Sequence, residues 1–142
     1  MLQFAEPTLD SLRAYSRTSG FNVLHAIEIE QAASGSAELS MPWRPEAAQY
    51  QGFLHAGLIG ALVDTACGCA AATVVGRVLA SHFSVSCIRP AVGQRFVVRA
   101  RVVKAGRTTV FTAADVFAEA EGKQTLVATG ETILNVVAAR ES

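Results

Sequence analysis

With 142 residues the chain has the length of one domain, enough for a real core and too little for two. Its 12 basic and 12 acidic residues cancel, which excludes the electrostatic footprint of a nucleic-acid binder or of a protein drawn to an anionic membrane. An apolar share of 51% is high for a small domain and points to burial against a second subunit.

Residues 8–18 carry capping groups and the apolar Leu9, Leu12 and Tyr15, which predicts a short helix ending at Gly20. The stretch Phe21 to Glu30 alternates, with Ile27 and Ile29 opposite Glu28 and Glu30, and is read as a strand that includes His25. Ala33-Ser34-Gly35-Ser36 is a turn, and Ala37, Leu39 and Met41 form the apolar face of the return strand. Pro42 and Pro45 stop it, and an irregular crossing segment to Leu54 delivers the chain to residues 56–76.

That stretch reads as a helix apolar on every face, which other structure must wrap. Residues 56–80 approach the length of a membrane span, but Asp64 in their middle and the amphipathic strands around them argue for a core helix. A carboxylate there is costly to bury unless it is paired or used. Beyond the helix, Phe83, Val85 and Cys87 alternate with His82, Ser84 and Ser86, and Phe96 to Val103 alternates likewise. Lys104-Ala105-Gly106-Arg107 is a tight turn in which Gly106 is expected to supply a positive φ. Val110 to Ala118 is the next strand, Glu121-Gly122-Lys123-Gln124 turns, and Leu126 to Val137 is the last. The expectation is a single α+β domain over residues 1–142, an antiparallel sheet curled round one long helix.

Cys67, Cys69 and Cys87 form neither a metal pattern nor a disulfide framework and read as small buried thiols in a reducing cytosol. No metal or cofactor is called for. The first seven residues show no basic and apolar regions of a signal peptide, so a cytoplasmic protein is expected. The helix start at His55-Ala56-Gly57 presents unpaired N–H groups and the positive end of a dipole, a place to hold a developing oxyanion. Asp64 lies two and a half turns on, about 12 Å away, out of reach within one chain. A two-fold dimer with antiparallel helices would bring one chain's Asp64 to the other's helix start.

Gly52-Phe53-Leu54-His55-Ala56-Gly57, then Leu62-Val63-Asp64-Thr65-Ala66-Cys67-Gly68-Cys69, resembles the hotdog-fold acyl-CoA thioesterases of the phenylacetic-acid-degradation type. Ile88-Arg89-Pro90 and Lys104-Ala105-Gly106-Arg107 are similar to further elements of that family. The family's His-Gly-Gly reads His55-Ala56-Gly57 here, which keeps the N–H of residue 56. The resemblance implies a hotdog fold and hydrolysis of an acyl-CoA or aroyl-CoA thioester, in a homodimer or homotetramer with sites shared across the interface. It implies Asp64 as general base or nucleophile, the Ala56 N–H as oxyanion donor, and Gln49 and His55 as positioning groups. Gly57, Phe53, Ser81, His82, Arg89 and Arg107 are the candidate substrate contacts, the last two for coenzyme A phosphates. Two other readings stand beside it. A hydratase or dehydratase would need a Phe-Pro-Gly element after the His, or a His about five residues after the Asp, and residue 69 is Cys. A non-catalytic acyl-CoA-binding hotdog protein would lack the helical carboxylate or carry a basic extension.

Overall fold

A computed structural model describes residues 7–137. The elements are α1 (Leu9–Ser16), α2 (Gly20–Leu24), β1 (Glu28–Ala33), β2 (Ser36–Pro42), a 3-10 turn Pro45–Ala47, α3 (Ala56–Val75), β3 (Val78–Cys87), β4 (Arg95–Ala105), β5 (Thr109–Ala120) and β6 (Lys123–Val136). The six strands make one antiparallel sheet in the order β1-β2-β4-β5-β6-β3. Helix α3 lies on one face and touches all six strands, which is the hotdog arrangement.

Strand periodicity sets this packing. In β5 the buried residues are Val110, Thr112, Ala114, Val116 and Ala118, every second position, and they face α3. Leu58, Ile59, Leu62, Val63, Ala66, Cys67, Ala70 and Ala71 are the helix's contribution to the same core. The helix has the length and hydropathy of a membrane span, yet it is the core helix of this sheet. Gly130 in β6 marks the closest approach. A Cβ built there would stand 2.8 Å from both Val63 Cγ1 and the Ser84 carbonyl oxygen.

Three local expectations need correction. Cys87, expected as a buried thiol, is exposed, whereas Cys67 and Cys69 are buried. The helix expected over 8–18 is α1, N-capped by Thr8 in a reciprocal box with Ser11, but a further helix, α2, follows it, capped by Ser19 accepting from Asn22 N–H. The strand expected over 21–30 therefore begins only at Glu28, and His25 is the C-cap of α2. Ser19 supplies a helix start, and Phe21, Val23 and Leu24 are all exposed, so their spacing buries no strand face. The alternation of Ile27 and Ile29 was real, and both are buried. Gly106 lies outside the left-handed region, which Ser34, Gly35, Glu121 and Gly122 occupy in the two other hairpins. Its requirement is space: its N–H donates to Thr109 O at 2.8 Å, and a Cβ would sit 2.9 Å from that oxygen.

Candidate active site

The start of α3 is built by the residues just before it. His55 N–H donates to Ala47 O at 2.9 Å and Leu54 N–H to Ala91 O at 3.0 Å, which seats the buried Leu54 and fixes where the helix begins. His55 is the N-cap, its Nδ1 accepting from Gly57 N–H at 2.8 Å. An accepting Nδ1 leaves the proton of the neutral ring on Nε2. Gly57 must be small here, since a Cβ would come within 2.9 Å of that Nδ1. The Ala56 N–H lies between the two bonds and donates to no acceptor among the described residues. His55, Ala56 and Gly57 are all exposed in the single chain.

Gln49 closes the loop that precedes them. Its backbone N–H donates to Phe53 O, and its side-chain carbonyl accepts from the N–H groups of Gln51 and Phe53. Gly52 sits in that loop at φ +85°, a conformation that suits glycine. Gln49, Phe53, His55, Ala56 and Arg89 line one cleft of about 410 Å³. Arg89 is held at its edge by a bond from Nη1 to Leu126 O at 2.7 Å. Tyr50, on the same rim, is 99% exposed.

Asp64 faces elsewhere. It lines a separate cavity of about 340 Å³ between α3, the α1–α2 pair and the start of β3. The side chain is partly buried, and no hydrogen bond or ion pair holds its carboxylate among the described residues. Burial alone pushes its pKa above the usual carboxylate value. Cys69 on the same wall is pushed up to about 11 by burial, which keeps it a thiol.

The remaining candidates are scattered within one chain. Ser81 occupies a bulge in β3 and donates to Ile133 O at 3.2 Å. His82 pairs with Ile133, which puts it on the sheet face away from α3. Arg107, in the β4–β5 turn, is at the opposite end of the sheet from Arg89. Trp43 packs edge-on against the buried Phe96. Sequence reading passed over Thr65, Gly68 and Ala72, and with them Leu12 and Tyr15 across the cavity from Asp64. The helical spacing of 64, 68 and 72 was the available signal for the first group.

The family model described as Thioesterase superfamily matches residues 51–125. A thioesterase family protein from Silicibacter pomeroyi is similar in structure at 34% identity, with a TM-score of 0.84 over 87% of this chain and 93% of that one. Zebrafish thioesterase superfamily member 2 is similar at 25% identity and a TM-score of 0.79, over 92% of this chain and 99% of that one. A thioesterase from Haemophilus influenzae shares the fold at 24% identity and a TM-score of 0.81, over 96% of this chain and 92% of that one. A search of the curated proteins returned no match.

Proposed function

From the premise that this chain belongs to the thioesterase superfamily, we propose that it hydrolyses acyl-CoA or aroyl-CoA thioesters with Asp64 as the group that drives the attack. The superfamily carries thioester hydrolysis in general; the phenylacetic-acid-degradation type rests on the His55–Asp64 motif. One observation carries the reading: an unpartnered, partly buried carboxylate opening into a cavity, in a helix otherwise apolar. Such a group costs stability and is kept where it is used.

The thioester carbonyl oxygen sits against the Ala56 N–H, where the dipole of α3 favours negative charge. A water attacks the carbonyl carbon while Asp64 takes its proton, and the tetrahedral oxyanion collapses to expel the coenzyme A thiolate, which recovers that proton. In the alternative course Asp64 itself attacks and water then opens the anhydride. The raised pKa of Asp64 improves it as a base near neutrality.

Helix start and Asp64 open into different cavities of one chain, so the complete site takes a second copy. The free backbone edge of β3 supports this, as do Leu79, 67% exposed, and Phe83, 49% exposed, on the same strand. Antiparallel pairing of two β3 strands would lay the two α3 helices side by side in opposite directions. We place a homodimer at the base of the assembly and a homotetramer as its pairing, in the cytoplasm with its acyl-CoA substrate, with Arg89 and Arg107 toward the phosphates.

The test is thiol release from a panel of acyl-CoA and aroyl-CoA substrates, by wild type and by Asp64→Asn. Turnover abolished by the substitution supports the reading; binding of every thioester without turnover by wild type overturns it. Mixing Asp64→Asn with His55→Ala subunits tests the shared site. Exchanged dimers that regain no activity sink it.

A further inference from the structure

The cavity beside Asp64 has a shape that says what it holds. Its wall on α3 is one stripe, Asp64, Gly68 and Ala72, four residues apart, with Cys69 alongside. The direction in which a Gly68 side chain would project meets nothing within 4 Å. Opposite stand Leu12 and Tyr15 of α1, and Val78 and Leu134 close the far end. Thr65 on α3 and Arg77 next to Val78 are polar members of the wall, and the polar groups of the α1–α2 side build their own corner. Asn22 Nδ2 donates to Ser16 Oγ at 3.1 Å, Asn22 N–H to Ser19 Oγ at 3.2 Å, and Thr18 Oγ1 to Tyr15 O at 2.6 Å. The slot therefore starts at a carboxylate, runs about 12 Å along a helix face of small residues, and presents mostly apolar walls.

We propose, resting on the thioesterase reading above, that this slot receives the acyl group of the substrate, and that Gly68 and Tyr15 set its size. Gly68 is the gap through which the chain or ring passes beyond Asp64, and Tyr15 is the roof over it. A volume of about 340 Å³ is roughly twice that of an apolar cavity able to hold one benzene. The substrate class is thus a compact, largely apolar acyl group, one ring with its linker or a chain of medium length. A long fatty acyl chain exceeds the slot, and an acetyl group leaves most of it empty. Placing the carbonyl by Asp64 sends the acyl group toward Ala72 and leaves the coenzyme A portion on the side of the helix start.

The experiment measures kcat/KM for acetyl-, butyryl-, octanoyl-, phenylacetyl- and palmitoyl-CoA with wild type, Gly68→Ala, Gly68→Leu and Tyr15→Ala. Wild type is expected to prefer the octanoyl or phenylacetyl substrate. Gly68→Leu should lower the ratio of either to acetyl-CoA by about tenfold or more, the discrimination a few carbons give in an apolar pocket. Gly68→Ala should move the ratio the same way by less, and it serves if the Leu variant fails to fold. Tyr15→Ala should move it the opposite way, toward palmitoyl-CoA. Ratios that stay at wild-type values in both Gly68 variants, or a wild type that prefers palmitoyl or acetyl, overturn the proposal while leaving the thioesterase reading intact. Wild type inactive on all five substrates removes the thioesterase reading, and the slot assignment with it.

Discussion

His55 is the sharpest place to separate support from chemistry. In His55→Ala the bond from Gly57 N–H to Nδ1, 2.8 Å long, has no replacement, while the backbone bonds to Ala47 and Ala91 remain. Losing a helix N-cap costs about 1 kcal/mol. For a domain of this size that is a fall of about 3–5 °C in Tm. The Ala56 N–H sits inside the turn that would loosen, and misplacing such a donor is expected to lower kcat by about 10- to 100-fold. Asn is itself a good N-cap, so His55→Asn should recover most of the melting temperature and most of the rate. The measurements are thermal melts and thiol release on one substrate. A His55→Ala protein that melts with wild type refutes the cap assignment. A His55→Asn protein with wild-type stability and no activity refutes the positioning role and puts the imidazole into the reaction.

Asp64→Asn should cost about 10²- to 10⁴-fold in kcat, the usual weight of a general base. The same variant should melt higher near neutral pH. The folded-state pKa of Asp64 lies above the ordinary aspartate value of 3.8, so its stabilisation is present below that value and lost as pH rises through the folded pKa; the advantage of Asn should vanish in acid. The acid limb of wild-type kcat/KM should lie at higher pH than an unperturbed aspartate would give, and a limb at or below the ordinary aspartate value contradicts burial at this site. Gly57→Ala should mimic His55→Ala in rate, because its methyl meets the imidazole. Gly130→Ala should lower stability by about 1–3 kcal/mol in denaturant titration, since the Ser84 carbonyl it meets cannot swing away.

What could be read from the sequence followed from periodicity. The alternation in β4, β5 and β6 and the apolar character of α3 on every face are one-dimensional records of which side faces the core, and strand ends came within a few residues. Where alternation and capping competed, at Ser19 to Leu24, the cap decided and the strand reading failed. Gly106 failed because a glycine serves two different needs, a left-handed φ or room for a carbonyl, and spacing does not distinguish them. For the site, Asp64 stood out as a charge where none belongs. Leu12 and Tyr15 could not stand out, because ordinary apolar residues about 50 positions away become cavity walls only through the path of the chain.

The position of α3 in the chain has a consequence during synthesis. It leaves the ribosome with only β1 and β2 ahead of it, and β3 to β6 follow over the residues from 78 to 136. At roughly 5–20 residues per second, those strands take about 3–12 s to appear. For that interval the nascent polypeptide displays a largely apolar stretch of twenty residues that resembles a membrane insert and has only β1 and β2 to cover it. Yield in cells should therefore depend on translation speed and on holding chaperones, and slowing the ribosome once α3 has cleared the exit tunnel should favour aggregation over soluble protein.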